Sequence, residues 1–196
     1  MEPFKKITSI VVPLPVNDVD TDQIIPARFL KITDKKGLGA NLFYDWRYLV
    51  DGGPNPDFVL NRSEYRSAKI LFGGINFGCG SSREHASWAL MGFGFRAVIA
   101  QSFGDIFRNN ALKNGLLPVQ VDAETHRKMA AILSTNPFAN WAVDLASQVV
   151  TLPDGALAPF AMDPFSKHCI LTGQDELDYL LSFLEEIQGY EGGYHK

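Results

Sequence analysis

Short apolar runs alternate along the chain with stretches in which apolar side chains recur at helical spacing. The apolar runs at residues 68–72, 96–100 and 116–121 predict buried strands, because runs of this length bounded by turn formers are typical of such strands. Helical spacing at residues 86–91 and 102–114 predicts a helix in each interval between them. Strands that alternate with helices pair in parallel through right-handed crossovers. The pattern therefore predicts an α/β fold with a parallel βαβ core.

The two ends of the chain carry further elements. A β-branched run at residues 7–12 predicts a first strand. Three short strands joined by tight turns predict a β-meander at residues 141–145, 148–152 and 157–162. Helices are predicted at residues 122–133, 164–171 and 175–187, and the tail at 189–196 is predicted to be frayed. The last helix is amphipathic, and its apolar face consists of Leu177, Leu180, Leu181, Leu184 and Ile187.

The composition is that of a globular chain. Its 196 residues, 46% apolar and 20% charged, are predicted to form one domain over residues 1–196. The net charge of −4 gives no electrostatic reason to bind nucleic acid or an anionic membrane. No apolar run approaches the roughly 20 residues that span a bilayer, and the N-terminus lacks the apolar segment of a secretion signal. We therefore expect a cytoplasmic protein with no nucleic-acid or membrane partner.

Residues that bind metals are few and scattered. The two cysteines, Cys79 and Cys169, suit a reducing compartment and are too few to ligate an iron–sulfur cluster on their own. The four histidines show no metal-ligand spacing. His168 beside Cys169 is more typical of a helix packing pair than of a metal site. We expect no metal site on this chain.

Residues 76–85 hold most of the candidate chemistry. They lie between a predicted strand and a predicted helix, and their glycines allow backbone conformations that other residues avoid. Ser81 followed by Glu84 matches the capping box that begins a helix. The free N–H groups in the first turn of such a helix, together with the guanidinium group of Arg83, can form a binding site for a carboxylate or phosphate. The hydroxyl groups of Ser81 and Ser82 lie at the same place.

Two interpretations of this segment stay open from the residues alone. A well-capped helix with an exposed arginine is one, since capping boxes are common. An anion-binding site is the other, and the glycines, serines and arginine together favour it. The segment matches neither the phosphate loop that ends in Gly-Lys-Ser/Thr nor the pattern G-x-G-x-x-G. A nucleotide is therefore not the favoured anion.

A second candidate segment is acidic. Asp18, Asp20 and Asp22 alternate as in a calcium loop, but the glycine and glutamate that such a loop requires do not follow. The favoured interpretation is a structural turn, or a carboxylate directed at a neighbouring arginine.

Three segments resemble one protein family. Residues 19–26, 76–86 and 114–119 look like the small subunits of 3-isopropylmalate dehydratases, which are similar to the swivelling fourth domain of aconitase. The resemblance covers nearly the whole chain and includes residues 41–46 and 54–61. It implies a swivelling β/β/α domain, as in the aconitase C-terminal domain, with the β-meander and C-terminal helices added to the parallel core.

The resemblance also implies a function that needs a partner. Such enzymes isomerise 2-isopropylmalate and 3-isopropylmalate by dehydration and rehydration in leucine biosynthesis, and a separate large subunit carries their [4Fe–4S] cluster. The expected partners are therefore the cluster-bearing large subunit and a small hydroxy-diacid substrate. One departure is that residues 29–33 offer no arginine where aconitase has one, which fits an isopropyl group in place of a third carboxylate. The alternatives are a related dehydratase that acts on homoaconitate, citraconate or dimethylmalate, and a stand-alone anion-binding module.

Site roles follow from the resemblance to aconitase. Ser81 matches the catalytic base, which acts as an alkoxide, and Ser82 and Arg83 match residues that bind substrate carboxylate oxygens. Thr21 and Asp22 match the other site motif and are expected to position Arg83 or the substrate. A turn-forming role for Asp22 is equally open. So is the question of whether Ser81 can be both helix cap and base.

Overall fold

The computed structural model describes residues 1–31 and 37–194, and these residues form two four-stranded sheets. The strands are β1 (Lys6–Ser9), β2 (Val11–Pro13), β3 (Ile70–Phe72), β4 (Ala97–Ala100), β5 (Leu117–Gln120), β6 (Trp141–Asp144), β7 (Val149–Thr151) and β8 (Leu157–Pro159). One sheet is parallel with the order β2-β3-β4-β5, and the other is antiparallel with the order β1-β6-β7-β8. The predicted α/β class, with a parallel core and an added β-meander, is confirmed.

Helices connect and flank these strands. They are α1 (Thr21–Ile24), α2 (Tyr44–Arg47), α3 (Glu84–Phe93), α4 (Asp105–Asn114), α5 (Ala123–Thr135), α6 (Pro164–Thr172), α7 (Glu176–Leu181) and α8 (Leu184–Tyr194). As predicted, α3 and α4 join successive parallel strands. The helices predicted at residues 122–133 and 164–171 correspond to α5 and α6: the Asp122 carboxylate caps α5, and Gly173 ends α6 in the left-handed conformation.

The parallel sheet is buried on both faces, which explains why its strands are continuous apolar runs. Leu71 and Val98 face the side covered by α3 and α4. Phe72 and Ile99 face the opposite side, where they pack with α5 and with Trp141 of the antiparallel sheet. Within the described residues, no helix has both the length and the apolar character that crossing a bilayer requires.

The prediction of one strand at residues 7–12 is wrong, because the chain changes sheets within it. Ser9 in β1 pairs antiparallel with Trp141 in β6, whereas Val11 in β2 pairs in parallel with Ile70 in β3. The Ser9 hydroxyl accepts a hydrogen bond from the N–H of Lys69 at 2.8 Å, which ties the crossing point to the start of β3. Apolar residues lie on both sides of the crossing, so the sequence pattern does not mark it.

The long helix predicted at residues 175–187 is divided in two. Helix α7 ends at Leu181, and α8 begins at Leu184. Asp175 caps α7 by accepting the N–H of Asp178 at 2.8 Å. Helix α8 continues to Tyr194, although the sequence predicts a frayed tail from residue 189. Residues 195–196 lie outside the described part of the chain.

A close backbone contact holds the segment that follows α1 against α3. A Cβ atom at Gly39 would lie 2.2 Å from the carbonyl carbon of Gly92 in α3. We expect Gly39→Ala to lower the free energy of unfolding by about 1–3 kcal/mol, because the two backbones must separate to admit the methyl group. Urea denaturation followed by circular dichroism measures this change.

Gly189 provides the control for that substitution. It lies in α8, and a Cβ atom there meets nothing within 4 Å. Gly189→Ala should leave the free energy of unfolding unchanged or slightly higher, since alanine favours helix more than glycine does. Equal stability of the Gly39→Ala and Gly189→Ala proteins would contradict the importance of the contact with Gly92.

Candidate functional site

Both candidate motifs lie on loops at the carboxyl edge of the parallel sheet. One loop follows β2 and the other follows β3, the strand beside it. Loops at this edge of neighbouring parallel strands converge, and open α/β sheets bind ligands there. Backbone hydrogen bonds join the loops: among them, Gly78 N–H donates to the Val19 carbonyl at 2.7 Å, and Thr21 N–H donates to the Cys79 carbonyl at 2.8 Å. The fold thus places the two motifs side by side.

Two glycines allow the β3 loop to fit between its neighbours. Gly78 has φ +76°, and a Cβ atom there would lie 2.2 Å from the ring of Phe107 in α4. Gly80 has φ +93°, and a Cβ atom there would lie 2.3 Å from the carboxylate of Asp20. Only glycine satisfies both the left-handed conformation and the contact distance at these positions. The loop that leads into Ser81 is therefore fixed on both sides.

Thr21 lies beneath the loop. Its side chain is 1% exposed, and its hydroxyl donates to the backbone carbonyl of Ser81 at 3.1 Å. With the N–H bond to Cys79, this single residue fixes the backbone on both sides of Gly80. The structure thus gives Thr21 a contact with the backbone that carries the Ser81 hydroxyl.

Asp22 and Arg83 form a bidentate ion pair that joins the two candidate motifs. Arg83 Nη2 donates to Asp22 Oδ2 at 2.7 Å, and Nη1 donates to Oδ1. The Arg83 side chain is only 13% exposed, whereas that of Asp22 is 50% exposed. The hydrogen bond from Arg83 is the main reason why the pKa of Asp22 lies below its ordinary value. The expectation that a carboxylate of the acidic segment is directed at an arginine is confirmed.

The acidic segment is a helix start rather than a simple turn. The Asp20 carboxylate accepts the N–H of Asp22 at 2.7 Å, and the Asp20 N–H donates to the side chain of Gln23 at 2.8 Å. These bonds form the capping box of α1. The spacing Asp-x-x-Gln could have identified it from the sequence, and it explains why Thr21 and Asp22 have fixed directions.

The predicted capping box of Ser81 and Glu84 is wrong. Helix α3 begins at Glu84, its N-cap is Arg83, and no side chain caps it. The Glu84 carboxylate instead accepts a hydrogen bond from Asn114 Nδ2 in α4 at 2.8 Å, and the Ser81 backbone is held by Thr21. With these two contacts, the N-cap is Arg83 and the helix starts two residues later than predicted.

Two exposed serines, Ser81 and Ser82, lie directly before Arg83 and the start of α3. The pair with Asp22 uses two of the five N–H donors of Arg83, which leaves donors for a second carboxylate. The N–H groups at the start of the ten-residue helix α3 add partial positive charge. The arrangement suits an acid with a carboxylate and a nearby C–H or hydroxyl group.

The segment after α1 is described only in part. Phe29 and Leu30 pack against the core, while residues 32–36, which include the last two positions of the stretch where an arginine was sought, lie outside the described residues. In the neighbouring turn, Arg28 pairs through both terminal nitrogens with Asp45 and lies 5.1 Å from the ring centre of Tyr44. This exposed ion pair is a feature that the sequence did not suggest.

Known proteins are similar to this chain over most of its length. The family model for the aconitase C-terminal domain matches residues 1–124. A 3-isopropylmalate dehydratase small subunit of Roseiflexus sp. (strain RS-1) is 59% identical over 97% of this chain and 94% of its own length. One from Anaeromyxobacter dehalogenans (strain 2CP-1 / ATCC BAA-258) is 58% identical over 98% of this chain and 99% of its own length.

A solved structure is also similar. The crystal structure of a 3-isopropylmalate dehydratase from Methanocaldococcus jannaschii aligns with a TM-score of 0.67 and 26% sequence identity, over 95% of this chain and 99% of that chain. The sequence matches and the shared fold point to the same group. The chain therefore belongs to the aconitase C-terminal domain family and, within it, to the small subunits of 3-isopropylmalate dehydratase.

Proposed function

We propose that this chain completes the active site of a two-subunit cytoplasmic hydro-lyase that interconverts 2-isopropylmalate and 3-isopropylmalate by dehydration and rehydration. One observation carries the proposal: the ion pair of Asp22 and Arg83 lies beside the exposed Ser81 and Ser82 hydroxyls at the carboxyl edge of the sheet. The high identity to named small subunits supports the substrate. Nucleic acid and membranes have no part in the proposal.

Ser81 is the proposed base. Dehydration of a hydroxy-diacid breaks a C–H bond next to a carboxylate; the proton goes to the base, and the electron pair forms the new double bond. A serine hydroxyl is a weak base at its ordinary pKa, so its alkoxide needs nearby positive charge. The guanidinium group of Arg83 and the start of α3 lie within three residues of Ser81 in the chain and supply it. The Ser81 hydroxyl does not cap α3, so it is available for this role.

Arg83 is the proposed carboxylate ligand, with Ser82 as a second donor. Negative charge grows on the substrate carboxylate as the neighbouring proton leaves, and fixed donors stabilise that charge most in the transition state. Asp22 holds the Arg83 side chain in one orientation before substrate arrives. Thr21 holds the Ser81 backbone in the same way. We therefore assign Asp22 and Thr21 as positioning residues.

A [4Fe–4S] cluster does not fit this chain. Such a cluster needs more than two cysteine thiolates, and this chain has only two cysteines. Burial is the main cause that raises the pKa of both Cys79, in the site loop, and Cys169, in α6, which disfavours the thiolate. Within residues 1–31 and 37–194, no three His, Cys, Asp or Glu side chains are grouped so as to hold a metal ion. We therefore assign the cluster, and acceptance of the departing hydroxyl, to the large subunit.

Reconstitution tests the proposal. The purified chain alone should turn over neither isopropylmalate isomer, and addition of the cluster-loaded large subunit should produce interconversion, followed by absorbance of the unsaturated intermediate. The same mixture should be assayed with homoaconitate, citraconate and dimethylmalate. Faster turnover of one of these would assign a related dehydratase. Turnover by the lone chain, or none with the large subunit, would overturn the proposal, and the latter would favour an anion-binding module.

A further inference from the structure

The two C-terminal helices present an apolar stripe to solvent. Its five members are exposed apolar residues of α7 and of the first turns of α8: Leu177, Leu180, Leu181, Leu184 and Ile187. Their exposed fractions are 63%, 57%, 53%, 45% and 39%. Single exposed leucines are ordinary, but a contiguous group of this size is typical of an interaction surface. Nothing in the chemistry proposed above uses it.

The stripe is exposed because a different side of α7 is anchored to the protein. The ring of Tyr179 lies 4.9 Å from Phe165 and 5.4 Å from His168, both in α6, and 5.1 Å from Phe183. Phe183 lies between α7 and α8, and its contact with Tyr179 extends this aromatic group to the start of α8. The side chains of the stripe take no part in these aromatic contacts and are exposed.

A cavity lies between the stripe and α4, the helix whose start is beside the site loop. It has a volume of about 710 Å³, and its walls include Leu177 of the stripe, Phe165 of α6 and Ile106 in the first turn of α4. Ile106 is 47% exposed. The residue that precedes α4, Gly104, donates its N–H to the carbonyl of Phe77 in the site loop at 3.0 Å. A partner that covers the site loop can therefore continue along the cavity to the stripe.

The two helices that carry the stripe are acidic, and one basic neighbour, Lys113 of α4, pairs with Glu176 at 3.4 Å. The chain between residues 174 and 194 contains six carboxylates and no lysine or arginine: Asp175, Glu176, Asp178, Glu185, Glu186 and Glu191. In a two-fold dimer of this chain the same patch would face itself, so acidic borders would oppose each other. A surface with lysine and arginine around an apolar groove is the complementary occupant.

We propose that the stripe and the cavity form a docking surface for the cluster-bearing large subunit, which presents an apolar groove bordered by basic side chains. This inference rests on the proposed function, which supplies the partner. The surface extends the contact between subunits well beyond the substrate.

The test uses the full chain with Leu180→Ser and Leu184→Ser combined. We expect the Kd for the cluster-loaded large subunit, measured by calorimetry at physiological salt, to rise about 30-fold or more, because leucines at the centre of an interface carry much of its affinity. At saturating small subunit, kcat should return to that of the unmodified protein. The control is Leu157→Ser, which removes an equally exposed leucine (66%) from β8 and should leave the Kd unchanged.

A second variant tests the charge. Glu185→Lys combined with Glu186→Lys should slow association at least several-fold at low salt, and the loss should shrink as salt is added. It also provides the test if the leucine variant does not fold. Unchanged affinity in both variants, while the unmodified chain still binds and turns over substrate, would overturn the docking surface alone. A dimer of the isolated chain that the leucine variant abolishes would assign the stripe to a second copy instead. Failure of the unmodified chain to bind the large subunit would overturn the proposed function as well.

Discussion

Replacing Ser81 with alanine is expected to lower the kcat of the reconstituted enzyme by about 10²–10⁴, the usual contribution of a positioned base. The fold should be unaffected, because the contact that fixes this position uses the Ser81 carbonyl, which alanine keeps. Binding of the large subunit should also be unchanged, since the lost group is one exposed hydroxyl. Turnover, the Kd for the large subunit and exchange of the substrate C–H proton with deuterated water are the three measurements.

Ser82→Ala is the matched control for that variant. Both serines are exposed and adjacent, but only Ser81 is assigned the proton. Loss of one charge-assisted hydrogen bond to a carboxylate costs about 1.5–3 kcal/mol, so Ser82→Ala should lower kcat/KM by about 10- to 150-fold, mostly through KM. Proton exchange should persist. Turnover by Ser81→Ala within tenfold of the unmodified enzyme would place the base elsewhere and leave Ser81 as a binding residue.

The parallel core could be predicted because burial on both faces leaves a strong local signal. Three apolar runs separated by helical spacing correspond directly to β3, β4 and β5. The crossing between sheets near Ile10 left no such signal, since β-branched residues, which favour strands, lie on both sides of it: Ile7 and Thr8 before, Val11 and Val12 after. Which sheet a short strand joins depends on pairing partners far away in the chain, and no local pattern records them.

In the candidate site, too, some features could be predicted from neighbouring residues, whereas others depend on residues far away in the chain. The serines, the arginine and the Thr-Asp motif could be identified from residue types, and the ion pair between the motifs was anticipated. The capping box was a reasonable local interpretation of Ser81 and Glu84, but two distant residues overrode it. Asn114 donates a hydrogen bond to the Glu84 carboxylate, and the Thr21 hydroxyl donates one to the Ser81 carbonyl. Tertiary hydrogen bonds of this kind decide where a helix begins when several starts are nearly equal in energy.

The C-terminal helices show what an amphipathic pattern does and does not predict. The spacing from Leu177 to Ile187 predicts a helical face that avoids water. It does not say whether that face meets the core of the same chain or another protein. Here the aromatic contacts of Tyr179 occupy the inner side, and the leucines are left outside.

Replacing Arg83 with lysine is expected to lower kcat/KM of the reconstituted enzyme by about 10²–10⁴. Lysine keeps the charge but offers a single ammonium group, which cannot pair with both oxygens of Asp22 and also present aligned donors to the substrate. Two charge-assisted hydrogen bonds, at about 1.5–3 kcal/mol each, account for a loss of that size. The loss should appear in both kcat and KM, because the charge on the substrate carboxylate is present in the ground state and grows in the transition state.

Arg96→Lys separates this effect from a general cost of losing an arginine. The Arg96 side chain is 17% exposed, close to the 13% of Arg83, and it also pairs with a carboxylate, that of Glu2. It precedes β4 and therefore lies at the amino edge of the parallel sheet, opposite the site. Its replacement should lower the thermal midpoint while leaving kcat/KM within about twofold, since it touches neither the site loop nor Asp22. Equal losses of kcat/KM in the two variants would mean that Arg83 affects activity only through the stability of the fold. A different residue would then have to bind the substrate carboxylate.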